Sequence, residues 1–263
     1  MNDGHTAVAE SRSHAPATAP DLAEFSLARD AFLLDVDGTI LDIAPTPEEV
    51  RVPSLLKTTL ARLQKLTGGA LALVSGRPLA ILDRMFSPLS LSAIGCHGAE
   101  WRTSPQASIE RRAQPLSDDV KTAFFSVVSD LPEIRIEDKG YTLAFHYRRV
   151  PERKSVLEAR LAGQLARYRS ELCLLHGKSV FEVKPHTFDK GEGIAALMRL
   201  SPFANRRPVF LGDDRTDEYA FTVVRKMGGV GISVGRKMAN AERILPAPHA
   251  VRTWLGRLAS TLR

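Results

Sequence analysis

The stretch AFLLDVDGT, residues 31–39, decides the fold class of this chain. Its first four residues are continuously apolar, Asp35 and Asp37 follow two positions apart, and Gly38 interrupts the run. A short apolar run of this kind indicates a strand that is buried on both faces, as in a parallel sheet covered by helices. Because side chains alternate along a strand, Asp35 and Asp37 would share one face for as long as the strand lasts.

Helical and buried-strand patterns alternate after this stretch and again late in the chain. The expected helices cover residues 55–66, 190–200, 216–226 and 250–262, and a further helix is expected to begin at Pro78. The expected buried strands cover residues 70–74, 208–211 and 230–234. This alternation predicts an α/β fold with a doubly wound parallel-sheet core.

The middle of the chain follows a different pattern. Helices are expected over residues 116–130 and 151–168, and strand pairs around turns at 138–140 and 176–178. Hairpins with helices between them predict an antiparallel α+β module inserted into the core. An insertion at this place would serve as a cap that closes over a site and excludes water.

These patterns divide the chain into three parts. Residues 26–112 and 186–263 are predicted to form the core, and residues 113–185 the inserted α+β cap domain. Residues 1–25 are rich in Ala, Ser, Pro and His, show no periodicity and lack the basic start and apolar block of a secretory signal. We therefore expect a disordered leader there.

Composition excludes several classes of protein. The 263 residues carry 36 Lys and Arg against 30 Asp and Glu, a formal net charge of +6, and no apolar run approaches the roughly 20 residues that span a bilayer. The basic residues are interleaved with acids, which favours a solvated surface over nucleic-acid binding, and a positive potential helps to attract an anionic small substrate. Cys96 and Cys173 cannot form a disulfide framework, so the sequence predicts a reducing, cytoplasmic location.

A second acidic stretch, GDDRTDE at residues 212–218, follows another predicted strand. Helix capping can explain Asp217, but it does not account for Asp213 and Asp214 beside the strand. Open α/β sheets bind ligands beyond the carboxyl ends of their strands, where clustered acids repel one another unless a cation neutralises them. A hard cation such as Mg²⁺, which takes oxygen ligands, would account for both acidic stretches together.

Two further stretches are each weak evidence for a phosphate site when taken alone. Ser75 in SGR, residues 75–77, follows a predicted strand, and a hydroxyl with backbone N–H groups at a helix start can hold a phosphate. A serine at that position is more often only a helix cap. Lys190 in FDKG, residues 188–191, begins a late helix, where a lysine by itself is usually a surface residue.

Together, these four stretches in this order resemble the haloacid dehalogenase superfamily of phosphohydrolases. The resemblance implies that Asp35 is the nucleophile, which becomes an aspartyl phosphate, and that Asp37 is the general acid and then the general base. Ser75 and Lys190 would hold the transferring phosphoryl group. A carboxylate nucleophile splits a very slow hydrolysis into two displacements, which suits phosphate monoesters.

The same resemblance implies a phosphate site and a magnesium site. The implied phosphate-binding residues are Gly38, Ser75, Gly76, Arg77 and Lys190. Mg²⁺ would be bound by Asp35, the carbonyl of Asp37 and Asp213, with Asp214 and Asp217 supporting its water ligands.

The middle segment carries a narrower resemblance. IEDKG at 136–140, AFHYR at 144–148, GKSVFEVKP at 177–185 and GCHGAE at 95–100 are similar to stretches of trehalose-6-phosphate phosphatases, and the likeness extends over about residues 28–262. It implies substrate contacts from His97, Glu137, Lys139, Arg148, Lys178 and Glu182. Val180 is assigned no contact. Without the resemblance, Lys139 and Lys178 would be turn residues, and His97 and His146 would be packed or hydrogen-bonded histidines.

The resemblance implies Mg²⁺-dependent hydrolysis of trehalose 6-phosphate to trehalose and phosphate, in trehalose biosynthesis, with trehalose-6-phosphate synthase as a functional partner. Charged side chains suit the many hydroxyls of a disaccharide. The nearest alternative is a phosphatase for another sugar phosphate, of the sucrose phosphate or mannosyl-phosphoglycerate type. A phosphomutase would share the Asp-x-Asp start, and a non-catalytic phosphosugar sensor is disfavoured by the complete acidic set.

Overall fold

The computed structural model describes residues 18–260, which form two sheets and seven helices. The strands are β1 Asp30–Asp35, β2 Leu71–Val74, β3 Ser92–Gly95, β4 Glu100–Arg102, β5 Glu110–Arg111, β6 Arg135–Asp138, β7 Leu143–His146, β8 Leu172–Gly177, β9 Val180–Pro185, β10 Arg207–Gly212, β11 Val230–Val234 and β12 Arg243–Leu245. The helices are α1 Ser54–Leu66, α2 Leu79–Phe86, α3 Asp118–Phe125, α4 Lys154–Leu165, α5 Lys190–Leu197, α6 Glu218–Lys226 and α7 Pro248–Ser260. Within the described range, no helix combines the length and the apolarity needed to cross a membrane.

The larger sheet has eight strands in the order β12-β11-β10-β1-β2-β3-β4-β5. The six strands from β12 to β3 run parallel, and β4 and β5 extend the sheet in antiparallel pairings. Leu34 of β1 lies opposite Leu211 of β10 and Leu73 of β2. The carboxyl ends of β1 and β10 are therefore neighbours, which brings together the two acidic stretches that follow them.

Helices cover both faces of this sheet. On β1, Ala31 and Leu33 pack into one apolar cluster with residues of α5 and α6, whereas Phe32 and Leu34 pack into another with residues of α1, α2 and α7. All four side chains are fully buried, as the alternation of a strand between two helical layers requires. The predicted doubly wound α/β core is confirmed.

The smaller sheet belongs to the inserted module. Its strands pair in the antiparallel order β6-β7-β9-β8, and α3 and α4 pack against it. Phe124, Phe145, Leu157 and Phe181 lie in an apolar cluster separate from those of the larger sheet. The α+β character of the insertion is confirmed, and its strands and helices lie inside the interval 113–185 that the sequence predicts for the cap.

Some elements differ from the sequence predictions. The short strands β4, β5 and β12 are not predicted, because two or three residues are too few to show a periodicity. The two helices expected in the insertion are also shorter. A 3₁₀ turn at Ser126–Val128 follows α3, and 3₁₀ turns at Pro151–Arg153 and Ala166–Tyr168 flank α4.

The N-terminal segment differs from the expected disordered leader over residues 18–25. Thr18 makes a parallel bridge to Arg243, Glu24 forms an ion pair of 2.7 Å with Arg243, and Phe25 packs edge to face on Trp254 with 5.0 Å between ring centroids. The ion pair and the buried aromatic edge hold this segment to the sheet edge, so the expected leader boundary at residue 25 is too late. Residues 1–17 of that prediction lie outside the described part of the chain.

An ion pair joins the inserted module to the core on the protein surface. Arg135 of β6 donates to both carboxylate oxygens of Glu48, which lies in a 3₁₀ turn of the core, Pro47–Glu49. The hydrogen bond from Arg135 lowers the pKa of Glu48 from about 4.5 to about 2. Since the folded pKa is depressed, this pair stabilises the fold above the unfolded pKa and loses its effect as the pH falls toward 2.

The Arg135→Gln variant is expected to return the pKa of Glu48 towards 4.5 and to lower the free energy of unfolding at neutral pH by no more than about 1 kcal/mol. The effect is small because both side chains are largely solvated, with 47% and 63% exposed. An NMR pH titration of the Glu48 carboxyl and denaturant unfolding at pH 7 and pH 3 measure the two quantities. Arg167→Gln, an exposed arginine in the same module, is the control, and an unchanged Glu48 pKa in Arg135→Gln would contradict the pairing.

Candidate active site

Three buried carboxylates meet at the carboxyl ends of β1 and β10. Asp35 is the last residue of β1, Asp213 follows β10 directly, and Asp217 lies in the turn before α6. Their side chains are almost entirely buried, and each offers an oxygen within 4.8 Å of the others. The parallel pairing of β1 with β10 is what brings residues so distant in the sequence into one cluster.

The loop after β1 closes tightly against this cluster. Gly38 has a φ of +85°, and a Cβ atom at this position would lie 2.2 Å from Oδ2 of Asp213. Any other residue would therefore clash with the acidic cluster as well as strain the backbone. The Thr39 hydroxyl lies 2.7 Å from Oδ2 of Asp35 and 3.3 Å from Oδ1 of Asp213, so it touches both acidic strand ends.

Lys190, the first residue of α5, is buried among the same carboxylates. Its Nζ donates to Oδ1 of Asp35 and to Oδ1 of Asp217, both at 2.7 Å. Burial by itself would lower the pKa of Lys190, but the charges of Asp217 and Asp35 raise it above its usual value. Lys190 is thus a permanently charged ammonium group held beside Asp35.

The cluster carries more negative than positive charge. Burial raises the pKa of Asp35 well above its usual value, Lys190 opposes this, and Asp217 and Asp213 add to it by repulsion. Burial also raises the pKa of Asp213, opposed by the hydrogen bond that Lys178 donates to its Oδ2. When all three carboxylates are ionised, the two ammonium groups leave one negative charge uncompensated, which a bound cation would neutralise.

The donor set fits a hard divalent cation. Lys190 donates a hydrogen bond to Oδ1 of Asp35, and Lys178 donates one to Oδ2 of Asp213. The other oxygen of each carboxylate, Oδ2 of Asp35 and Oδ1 of Asp213, contacts the Thr39 hydroxyl. Both atoms are carboxylate oxygens, the ligand type that Mg²⁺ takes in proteins. The oxygens of Asp217 are already engaged, so Asp217 is placed to support the cluster.

Two acids of the second stretch cap the start of the following helical turn. Oδ2 of Asp217 accepts the backbone N–H groups of Asp213 and Asp214, each at 3.0 Å, and the Asp214 side chain accepts the N–H of Arg215 at 2.7 Å. The two side chains form a capping box. The sequence argument that capping does not account for Asp214 is therefore wrong, whereas it holds for Asp213.

Ser75 and Arg77 follow β2 and face the cluster. The buried Ser75 accepts the backbone N–H of Arg77 on its Oγ at 3.1 Å. The Arg77 guanidinium donates to both oxygens of Asp37, at 2.6 and 2.7 Å, and to the Pro47 carbonyl at 3.2 Å. The side chain expected to contact phosphate is thus engaged with Asp37, and it orients that carboxylate at the rim of the site.

A buried polar network joins the core to the inserted module. Both oxygens of Glu182 accept from Nζ of Lys139 at 3.1 Å, and Thr142 donates to Oε1. Nε2 of His97, from the core, lies 3.0 Å from Oε2 of Glu182. Burial opposes ionisation, but Lys139 and His97 hold the pKa of Glu182 well below its usual value, whereas burial lowers the pKa of His97.

Three other predicted substrate residues border the same space. Glu137 lies 3.0 Å from Nε2 of His146. Burial would raise the pKa of Glu137, but the hydrogen bond with His146 and the charge of Lys139 together lower it. Arg148 donates to the carbonyl of Lys178 at 2.9 Å and to the Ala44 carbonyl of the core. Arg148 therefore connects the β8–β9 turn of the module to the loop after β1.

One cavity of about 180 Å³ brings most of the predicted site residues together. Those that line it are Asp35, Asp37, Ser75, Gly76, Arg77, His97, Glu137, Lys139, Arg148, Lys178, Glu182, Lys190, Asp213 and Asp214. Gly38 and Asp217 do not line the cavity and lie behind it, against Asp213 and Lys190 respectively.

Sequence reasoning missed several residues that line this cavity or contact the side chains that do. Thr39 lies behind the cavity, and its position two residues after Asp37 in DVDGT is the only signal that the sequence offers for its contact with Asp35. Thr142 carries no signal in the sequence, since its contact with Glu182 spans 40 residues. Residues 43–47, His146 and Val180 line the cavity, Val180 despite being assigned no contact.

The geometry suits chemistry on an anionic group. A carboxylate beside a fixed ammonium, a second carboxylate at the rim and a cation-binding pair of oxygens are the parts that a phosphoryl transfer needs. The charged groups of the inserted module stand opposite, where they can hydrogen-bond a polyhydroxyl leaving group.

Comparison with known proteins gives a consistent result. The family model described as trehalose-phosphatase matches residues 33–245. A probable trehalose-phosphate phosphatase of Sinorhizobium fredii is 38% identical over 232 residues, which cover 87% of each protein. The trehalose-6-phosphate phosphatase of Escherichia coli is 36% identical over 237 residues, which cover 90% of this chain and 89% of that protein.

A solved structure shows the same fold. The C-terminal domain of a C. albicans trehalose-6-phosphate phosphatase has a TM-score of 0.80 and 23% identity, and the match covers 94% of this chain and 99% of that one. The extent of the family match and the identity to two relatives over most of their length show that the chain belongs to the trehalose-phosphatase family of phosphoric monoester hydrolases.

Proposed function

We propose that this protein hydrolyses trehalose 6-phosphate to trehalose and phosphate, with Mg²⁺ as its cofactor and an aspartyl phosphate on Asp35 as the intermediate. One observation carries the proposal. The acidic cluster of the core and the polar side chains of the inserted module line a single cavity, so one ligand can contact both. The family membership and the names of the relatives support the same substrate.

Asp35 and Asp213 are the proposed Mg²⁺ ligands, together with the carbonyl of Asp37, and Asp214 and Asp217 support them. The fit rests on the two oxygens beside Thr39 and on the uncompensated negative charge of the buried cluster. When bound, Mg²⁺ supplies charge compensation for the phosphoryl oxygens.

In the first half-reaction, an oxygen of Asp35 attacks the phosphorus, the bond from phosphorus to the sugar oxygen breaks, and Asp37 gives its proton to that oxygen. In the second half-reaction, Asp37 takes a proton from water, the water oxygen attacks the phosphorus, and the bond to Asp35 breaks. Lys190 keeps an oxygen of Asp35 fixed at 2.7 Å, and Arg77 orients Asp37. Ser75, Lys190 and the backbone around Gly76 are proposed to hold the phosphoryl group.

The inserted module is proposed to act as the cap that recognises the sugar. Glu137, Lys139 and Glu182 present charged groups to the cavity from β6, the β6–β7 turn and β9. Arg148 and Lys178 also line the cavity, and His97 joins Glu182 of this network from the core. A site built from such groups disfavours ligands that lack hydroxyls, because its own polar atoms would then be unpaired.

The proposed setting of the reaction follows from the substrate and from the cysteines. A trehalose-6-phosphate synthase remains the predicted functional partner, since it would supply the substrate for trehalose biosynthesis. Cys96 and Cys173 are both free, which supports a reducing compartment such as the cytoplasm.

Phosphate release from a panel of sugar phosphates tests the substrate. We expect trehalose 6-phosphate to be preferred over glucose 6-phosphate, sucrose 6-phosphate and mannosyl-3-phosphoglycerate in kcat/KM. We also expect Glu137→Ala to lower kcat/KM for trehalose 6-phosphate by about 10- to 100-fold, because a charge-assisted hydrogen bond is lost. Hydrolysis of an aryl phosphate, which lacks the sugar, should change by less than about threefold.

The matched control is Glu133→Ala, which removes an ion-paired carboxylate of the same module outside the cavity. Equal rates with glucose 6-phosphate and trehalose 6-phosphate would refute the assigned specificity. Equal losses on the sugar and aryl substrates would show that Glu137 acts on the phosphoryl transfer instead of on the sugar.

A further inference from the structure

A second cavity, of about 270 Å³, lies beside the catalytic one. It opens between the β8–β9 turn of the inserted module and two loops of the core, and it is lined by Tyr147, Lys154, Lys178, Asp214, Arg215 and Arg236, among others. Lys178 and Asp214 also line the catalytic cavity. The two cavities are therefore adjacent, with the side chains of Lys178 and Asp214 between them.

The second cavity is strongly basic. Four cations line it, against the single carboxylate of Asp214, which Arg236 approaches only to 3.6 Å. Lys178 is paired with Asp213, but Lys154 and Arg215 have no acidic partner within residues 18–260. Like charges held around one cavity repel one another, and a bound anion would relieve that repulsion.

Tyr147 adds a neutral hydrogen-bond donor to the cavity. Its side chain is 6% exposed, and its ring packs on Phe181 with 4.9 Å between centroids. Its hydroxyl has no hydrogen-bond partner among the residues that the structure describes, although the residue lines the cavity. Because it is unpaired within the protein, this hydroxyl is available to donate to an oxygen acceptor inside the cavity.

We propose that this cavity is a second anion site, which binds a phosphate dianion next to the catalytic pocket. Arg215 and Arg236 offer planar guanidinium groups that match the oxygens of a tetrahedral anion, Lys154 adds a third charge, and the Tyr147 hydroxyl adds a neutral donor. The cavity, of about 270 Å³, has room for one phosphate with part of its hydration.

The phosphate dianion can come from two sources. It is either inorganic phosphate, which the neighbouring pocket would release, or the phosphoryl group of a small ester that enters from solvent. The proposal does not depend on hydrolysis of trehalose 6-phosphate, because phosphate binding can be measured without turnover.

Equilibrium dialysis of the purified full chain with labelled inorganic phosphate and Mg²⁺ tests the second site. We expect two equivalents to bind to the wild-type protein. In the double variant Lys154→Gln/Arg215→Gln, one of the two should weaken by at least about tenfold, because two charged donors are lost. Tyr147→Phe, which keeps the ring, should weaken the same equivalent by about threefold to tenfold.

The matched control is Arg62→Gln/Lys65→Gln, which removes the same two charges from the exposed face of α1 and should leave both equivalents unchanged. Circular dichroism and thermal unfolding establish that each variant is folded. A single equivalent in the wild-type protein would overturn the proposal, and so would two equivalents of unchanged affinity in Lys154→Gln/Arg215→Gln.

Competition with methyl phosphate distinguishes the two sources, and either result supports the site. If methyl phosphate displaces labelled phosphate from the second site, the cavity accepts phosphate esters from solvent. If only unlabelled inorganic phosphate displaces it, the cavity is selective for the free product anion.

Discussion

The Asp35→Asn variant is expected to lose at least about 10⁴-fold in kcat for phosphate release and to remain folded. An amide of the same size keeps the shape of the side chain and one acceptor oxygen for Lys190, but it lacks the negative oxygen that attacks phosphorus. Steady-state phosphate release from trehalose 6-phosphate measures the loss.

The same variant should be at least as stable as the wild-type protein when no Mg²⁺ is present. Burial and the neighbouring acids raise the pKa of Asp35, which means that its ionised form is disfavoured in the fold. Replacing it by a neutral amide removes one of three carboxylates that repel one another. The temperature of thermal unfolding checks this, and a folded but inactive protein separates the chemical role of Asp35 from a structural one.

Asp42→Asn is the control for this prediction, since Asp42 is a largely exposed acid on the loop after β1 that pairs with Arg252 and does not line the cavity. It should retain wild-type kcat within about twofold. Full turnover by Asp35→Asn would defeat the proposed nucleophile.

The Lys190→Met variant is expected to lose both activity and stability. Methionine has a similar length but no charge, so Asp35 and Asp217 would remain buried without their shared cation. Breaking a buried ion pair by removing one partner costs about 3–5 kcal/mol of folding free energy. Loss of a charge placed against the phosphoryl group should lower kcat by at least about 100-fold.

Urea unfolding without Mg²⁺ measures the stability change, and phosphate release measures the change in kcat. The double variant Lys190→Met/Asp217→Asn should recover part of the lost stability, because it removes one of the two unpaired carboxylates. Lys65→Met, on the exposed face of α1, is the control for replacing a lysine by methionine. A Lys190→Met protein as stable as the wild type would contradict the assigned role of Lys190 in the buried cluster.

The core of this fold could be predicted because its signals are local. The run at residues 31–34 is apolar on both faces, and each of its residues lies in the cluster that strand alternation assigns to it. The position of Asp35 at the end of β1 and of Asp213 after β10 follows from the same reasoning, since a parallel sheet aligns strand ends. Helix ends and the strands of two or three residues were predicted less well, because turns at helix ends and edge pairing depend on neighbours from elsewhere in the chain.

The hydrogen-bond partners of the side chains in the site could not be predicted from the sequence. The sequence places Arg77 near a phosphate, but the structure pairs it with Asp37, which is 40 residues away. Glu182 is a predicted sugar contact, but its oxygens are hydrogen-bonded to Lys139, Thr142 and His97. Lys139 and Thr142 belong to the inserted module, whereas His97 belongs to the core. No periodicity in either segment reports these contacts.

The sequence by itself determined the α/β class, the inserted module and the place where the acidic strand ends meet, because burial patterns and strand polarity are properties of contiguous residues. Only the tertiary structure decided which charge neutralises which. Pairing between buried charges depends on distances of a few ångströms between elements far apart in the chain. The basic cavity beside Lys178 is a further case, since its cations come from the inserted module and from two separate core loops.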